Sequence, residues 1–257
     1  MKVITIPCSF DNYAYLIICE ETGEAAVVDP SEFYPVYREL EKYKVPLTAV
    51  YCTHHHADHI GGLEELVDEF DGLTVCGFEE EAERIPGLNS LLTEKSRVSI
   101  GEIGGRVLFT PGHTSGSVCY IFNNHLFTGD TLFGAGCGRI FEGTPGEMHD
   151  SLNVKIKMLP LETKIYFGHE YTAQNLKFAQ FIEPDNMAIK ERLDAIAGKQ
   201  GTALITPPTT LQLECATNPF LRCKEEGVSK TVAEKCGVDQ LDVLSVFSAL
   251  REMKDNF

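Results

Sequence analysis

At 257 residues, with 43 % apolar and 23 % charged side chains, the chain can bury the core of one large domain or two. A formal net charge of −16 repels phosphate backbones and argues against nucleic acid as a partner, and no apolar run approaches the roughly 18 residues of a membrane span. The nine cysteines are odd in number and lack a C-x-x-C pair, and the chain starts as a strand instead of a signal peptide, so reduced thiols in the cytoplasm are expected.

In chain order, residues 2–6 and 13–19 predict strands around a turn at 9–12, and Ala25–Val28 predicts a third, ended by Asp29 and Pro30. Tyr37 and Leu40, at helical spacing, predict a helix over 35–43. A buried strand at 47–52 leads into a polar loop, followed by a helix at 63–70 and a strand at 73–77. The acidic stretch 79–83 reads as a solvated helix face. Strands follow at 106–110, 117–122 and 125–128, the last two joined by a turn at Asn123 and Asn124. A helix over 148–159 and a strand at 164–167 close this part.

Beyond Glu170 the pattern turns helical, at 172–181, 187–198 and 240–254, around a Pro- and Thr-rich stretch at 202–219 that reads as irregular. The change predicts an α/β unit over 1–170 and a helical unit over 171–257. Residues 1–172 carry 12 Lys and Arg against 26 Asp and Glu, whereas 173–257 carry 10 against 12. An anionic substrate would thus be received by the site and the less acidic C-terminal segment.

The loop after the 47–52 strand packs His54, His55, His56, Asp58 and His59 into six positions. So many polar groups do not suit a packed core. In extended chain i and i+2 share a side, so His54 and His56 converge while His55 faces away. Three more candidate ligands each follow a strand and a glycine: His113, Asp130 and His169. Five histidines and two carboxylates exceed one tetrahedral ion and fit two divalent ions, zinc foremost, with iron or manganese as alternatives. The expected division gives His54, His56 and His113 to one ion and Asp58, His59 and His169 to the other, with Asp130 bridging. Two such ions would hold a hydroxide at neutral pH, with Asp58 and Asp130 as the carboxylates beside it.

His55, His125 and His149 lack this pull and read as surface or supporting residues. Asp29 either orients a ligand histidine or is a plain turn residue before Pro30. Cys137, alone in a glycine loop near the site, is a candidate thiol with no neighbour that would make it a thiolate.

The run from Thr53 to Gly62, the Pro-Gly-His-Thr and Thr-Gly-Asp-Thr segments at 111–114 and 128–131, and Gly-His-Glu-Tyr at 168–171 resemble the metallo-β-lactamase superfamily. The glycine loop from Gly134 to Thr144, Asn-Pro-Phe-Leu-Arg at 218–222 and the closing Arg251 to Asp255 are similar to the glyoxalase II family. The resemblance covers nearly the whole chain. It implies an αββα sandwich with a C-terminal helical domain, and hydrolysis of S-2-hydroxyacylglutathione thioesters, typically S-D-lactoylglutathione to D-lactate and glutathione in methylglyoxal detoxification.

Arg251 and Lys254 are three apart in the last helix and continue its apolar stripe of Val243, Leu244, Phe247 and Leu250, so they turn toward the body of the protein. There they could bind a glutathione carboxylate or simply complement the helix dipole; the resemblance favours glutathione. It also implies substrate contacts at Arg139, Phe141 and Tyr171. Many relatives carry Lys at 139 and Trp at 57, and some carry Tyr at 141, where this chain has Arg139, Ala57 and Phe141. The working unit is read as a monomer. Two rival readings share the loop: a mono-iron glutathione persulfide dioxygenase, and a non-catalytic metal-binding scaffold. The full set of seven ligands argues against the first, and open coordination positions against the second.

Overall fold

A computed structural model of the chain describes residues 1–198 and 205–257. Its first half opens with a hairpin, β1 (Lys2–Cys8) and β2 (Asn12–Ile18), which adds β3 (Ala25–Val28) antiparallel. Helix α1 (Phe33–Tyr43) then returns the chain for β4 (Leu47–Tyr51), parallel to β3. Two helices, α2 (Ala57–Ile60) and α3 (Leu63–Glu69), precede β5 (Thr74–Phe78), and β6 (Ser90–Leu92) completes a six-stranded sheet in the order β1-β2-β3-β4-β5-β6.

The second sheet collects β7 (Arg97–Ile100), β8 (Ile103–Phe109), β9 (Val118–Phe122), β10 (His125–Gly129), β13 (Lys164–Phe167) and β14 (Thr209–Thr210), in the order β14-β13-β10-β9-β8-β7. Between β10 and β13 lie a two-stranded ribbon, β11 (Leu132–Phe133) with β12 (Gly136–Cys137), and helix α4 (Pro145–Asp150), capped by Thr144 and Glu147. A single π-type turn over Ser151–Ile156 extends α4. The remaining elements are helices: α5 (Thr172–Ile182), α6 (Met187–Ile196), α7 (Leu211–Thr217), α8 (Glu226–Cys236) and α9 (Val243–Asp255).

Strand β2 shows how the layers are held. Tyr13, Tyr15 and Ile17 enter the core shared by the two sheets, while Ala14, Leu16 and Ile18 alternate into the layer under α1 and α3. This is the period-two rule applied to a strand with no wet face. Leu16 and Ile17 are fully buried, each contributing about 1.5–3 kcal/mol. The second sheet meets the first from the other side with Tyr120, Phe122 and Phe127. The fold is thus the αββα sandwich expected, with the helical segment continuing into the same core through Phe178, Phe220 and Phe247.

Two local expectations need correction. The stretch expected to be irregular contains β14 and α7 among its described residues, started by a Thr210 side chain that accepts from Leu213 N–H; its residues 202–204 lie outside the described residues. Local Pro and Thr content hid a helix whose buried side, Leu211, Glu214 and Thr217, is mostly polar. In α9 the buried side is Val246, Phe247, Leu250 and Arg251, with Leu244 exposed. The stripe is rotated from the expected one because the helix packs Val246, Phe247 and Leu250 into the shared core. No helix among the described residues is long and apolar enough to cross a membrane.

Candidate metal centre

Four strands of the two sheets end at one place, and each is followed by at least one candidate ligand. After β4 the loop carries His54 and His56, and α2 carries Asp58 and His59; His113 follows β8, Asp130 follows β10, and His169 follows β13. The donor atoms of His54, His56 and His113 lie within 4.8 Å of one another, as do those of Asp58, His59 and His169. Asp130 sits between the two groups, its Oδ1 3.2 Å from His59 Nε2 and its Oδ2 3.4 Å from His113 Nε2 and 3.3 Å from His169 Nε2. The β10–β13 ladder slips one residue between Phe127 and Gly129, which turns Asp130 toward His169. Gly168 is required there: a Cβ would meet Asp130 Oδ1, and His59 at 2.6 Å.

Each ring is aimed by a partner on its far nitrogen. His59 Nδ1 is 3.0 Å from Asp29 Oδ2, His169 Nδ1 is 3.0 Å from Asp11 Oδ1, and His113 Nδ1 is 2.8 Å from the Arg139 carbonyl. The Thr53 hydroxyl donates to Asp29 Oδ2 at 2.6 Å and so can accept from His54 Nδ1–H at 3.0 Å. Each bond leaves Nε2 facing the centre, the arrangement by which outer partners set the tautomer of a metal-binding histidine. His56 differs, presenting Nδ1 3.0 Å from His113 Nε2. Asp29 also lies within ligand spacing of His54 and His59, but its oxygens are taken by Thr53 and by His59 Nδ1. It is a support and not a plain turn residue.

Sequence reasoning missed Asp11 and Asn12, whose turn position gave no chemical signal. Asn12 Nδ2 donates to the Asp58 carbonyl at 2.9 Å and to its carboxylate at 3.2 Å.

The electrostatics suit a cation. Burial, with like-charged neighbours, pushes His54 and His56 below their ordinary range; burial also lowers His113, against the pull of Asp130. These three imidazoles keep free lone pairs at neutral pH. His59 and His169 go the other way in the metal-free chain: burial alone would lower them, but Asp130 and its neighbours raise them to about 10 and about 12. The bond from His169 holds Asp58 well below the usual carboxylate range. His54 Nε2 is buried with no hydrogen-bond partner, a costly state unless a ligand completes it. Ionised carboxylates, neutral imidazoles and an orphaned lone pair at one point fit a divalent metal site.

The centre floors a cleft of about 620 Å³ whose opposite wall comes from α5 and α9. Arg139, Phe141, Tyr171, Arg251 and Lys254 all line it. Phe141 is exposed and lies edge-on to the His56 and His113 rings, at 5.7 and 5.3 Å. Tyr171 stacks on His169. Arg139 is largely exposed, its Nε 3.5 Å from Asp255 Oδ1. Burial, then Arg251 and Arg139, lower the Lys254 ammonium, which stands over the Phe178 and Phe257 rings. Arg251 is buried, and its guanidinium is engaged by Cys137, Gly138 and Asp255. Gln174, Asn175 and Phe257 line the cleft without having been foreseen.

The remaining histidines lie apart from the donors. His55 turns its Nδ1 to Glu81 Oε2 at 2.8 Å. Glu81 is itself fully buried and paired with Arg84, which corrects the reading of 79–83 as solvated throughout. His125 stacks on Tyr166, and His149 meets Phe247 edge-on. Cys137 is buried, and burial pushes its thiol up to about 11 despite Arg251, so it is no thiolate at neutral pH. All nine cysteines are free thiols.

Two family models match the chain: the metallo-beta-lactamase superfamily over residues 10–169 and the hydroxyacylglutathione hydrolase C-terminus over residues 170–257. The chain is 40 % identical over 264 residues to a hydroxyacylglutathione hydrolase of Gloeothece citriformis, covering all of both chains. Among solved structures it is similar to ETHE1 from Myxococcus xanthus (27 % identity, TM-score 0.66, 99 % of this chain and 100 % of that one). It is also similar to TTHA1623 in a di-iron-bound form (25 % identity, TM-score 0.61, 86 % of this chain and 100 % of that one).

Proposed function

The chain belongs to the hydroxyacylglutathione hydrolase family of the metallo-β-lactamase superfamily, and from that premise we propose that it hydrolyses S-2-hydroxyacylglutathione thioesters, S-D-lactoylglutathione among them. One observation carries the reading. Two complete sets of donors, joined by Asp130, open into a cleft whose far wall is built by the segment that matches the hydroxyacylglutathione hydrolase C-terminus.

In this reading His54, His56 and His113 would hold one divalent ion and Asp58, His59 and His169 a second, with Asp130 between the two sets. Bound there, such ions lower the pKa of water and polarise a carbonyl. The donor set accepts zinc, iron or manganese. Asp58 is about half exposed and ionised, so together with Asp130 it would orient the attacking water. A thiol leaving group, with an ordinary pKa of about 8.5, departs as thiolate without a general acid. Phe141 and Tyr171 cover the acyl end of the cleft, and Lys254 and Arg139 supply cations for the glutathione carboxylates. The working unit is read as a monomer. Residues 1–170 would form the catalytic domain and 171–257 the substrate-binding one, in the cytoplasm.

The test is loss of the thioester absorbance with S-D-lactoylglutathione as substrate, beside metal analysis. Removing metal, or Asp130→Ala, is expected to lower turnover by more than about 100-fold and to lower metal content. Undiminished activity in a metal-free preparation, or sulfite release from glutathione persulfide by a one-iron chain, would sink the reading.

A further inference from the structure

His55 faces away from the metal donors and onto a buried carboxylate. Glu81, on the short 3₁₀ turn Glu79–Glu81 after β5, is fully buried although Glu79 and Glu80 beside it are exposed. Its Oε2 lies 2.8 Å from His55 Nδ1 and 3.1 Å from Arg84 Nε. Both Oε2 and Nδ1 are buried, and the contact between them is close without being a well-aligned hydrogen bond. Glu81 Oε1 accepts from the Thr114 hydroxyl at 3.4 Å, and Thr114 shares a 2.6 Å bond with Ser117 Oγ. The fit is tight, since a Cβ on Gly116 would collide with the Glu81 carboxylate. A buried carboxylate is costly unless its charge is answered, and Arg84 supplies the opposite charge.

Arg84 carries the contact further. Its Nη1 donates to Glu142 Oε1 at 2.8 Å and its Nη2 to Ser115 Oγ at 3.1 Å. Glu142 Oε2 accepts from Ser115 N–H at 2.9 Å and from the Ser115 hydroxyl at 3.0 Å. The N–H groups of Phe141 and Glu142 both turn to the His113 carbonyl, at 3.1 and 3.4 Å. Three segments far apart in sequence, 54–56, 113–117 and 141–142, thus meet on Glu81 and Arg84. They carry His54, His56 and His113, the whole of one donor set, and Phe141, which lies edge-on to two of those rings. The other set is supported from elsewhere, His59 by Asp29, His169 by Asp11 and Asp58 by Asn12. Among the described residues His56 is also the one candidate histidine whose outer nitrogen makes no hydrogen bond. Its placement falls to the backbone, and His55 is the side chain next to it that anchors that backbone.

We propose that Glu81 is a positioning residue for one of the two ion sites, holding His56 through His55 and His113 through Thr114. Because this role rests on the proposed two-ion centre, its test measures the two sites separately and without substrate. Cobalt(II) is titrated into the metal-free wild-type chain, Glu81→Ala, Glu81→Gln, His55→Ala and Asp11→Ala, and the visible absorption bands are followed to saturation. Glu81→Ala and His55→Ala are each expected to weaken one cobalt site by about 10- to 100-fold and to leave the other near its wild-type affinity. Asp11→Ala, which removes the support of His169, is expected to weaken the other site and so to lose a different set of bands. Glu81→Gln keeps the size of the side chain and an oxygen for Thr114 but not the charge that faces Arg84, and is expected to recover part of the affinity. His55→Ala and Glu81→Gln carry the comparison if Glu81→Ala does not fold. A purely structural role would lower the Tm of the metal-free chain and leave the two cobalt affinities in their wild-type ratio. That ratio preserved in Glu81→Ala or His55→Ala would overturn the inference, and so would loss of the same bands as in Asp11→Ala. A wild-type chain that binds fewer than two cobalt ions would overturn the two-ion reading itself.

Discussion

The ring of Tyr171 lies flat against the imidazole of His169, with centroids 5.0 Å apart and planes 2° from parallel. The stack covers one face of a proposed ligand whose Nδ1 is already fixed by Asp11, so ring rotation is blocked from two directions. Tyr171→Phe keeps the stack and is expected to leave metal content unchanged and kcat within about threefold, since it removes at most one hydrogen bond of about 1 kcal/mol. Tyr171→Ala removes the stack and is expected to lower metal affinity as well. Equal metal affinity in the two variants would show that the ring does not hold His169.

Asp29 is a second test of support. Its buried carboxylate accepts from Thr53 N–H at 2.7 Å and from the Thr53 hydroxyl at 2.6 Å, and it faces His59 Nδ1 at 3.0 Å. Asp29→Ala leaves three buried donors unpaired, at about 1–3 kcal/mol each. A fall in Tm of several degrees is expected in the metal-free chain, along with roughly 10- to 100-fold weaker metal binding. Unchanged thermal denaturation would refute the role.

Protons and metal compete for the same nitrogens. His59 and His169 are raised to about 10 and about 12 in the metal-free chain, burial being outweighed by Asp130 and its neighbours. The ordinary value is 6.5, so the stabilisation from holding these protons is complete below pH 6.5. It is lost progressively as pH rises through about 10 and beyond. The Tm of the metal-free chain is therefore expected to fall between pH 7 and pH 10 relative to the loaded chain. Metal binding at pH 8 is expected to release protons. Calorimetry in two buffers of different ionisation enthalpy measures that release, and a buffer-independent heat would contradict it.

Much of the site was legible because its chemistry is local. His54, His56, Asp58 and His59 stand within six residues, and His113, Asp130 and His169 each follow a strand and a glycine. Their residue types and strand-end placement suffice to suggest convergence. Asp11, Asn12 and Glu81 were not legible, because nothing in a short polar turn or an acidic run says which carboxylate will be buried against a histidine. Helix α7 was hidden for a related reason. Its buried side carries Glu214 and Thr217, which match no apolar period and are stable inside only because Arg192 and the loop peptides satisfy them.

By itself the sequence determined the fold class with its helical C-terminal segment, the seven metal-ligand candidates and the family, since apolar periodicity and dense ligand motifs are properties of neighbours along the chain. The tertiary structure alone decided what Arg251 touches. A cation three residues from Lys254 on one helix looks like its twin, but the packing of α9 buries Arg251 against carbonyls 113 and 114 residues away. Contacts between residues so far apart depend on how helices and sheets pack, and no local pattern encodes that geometry.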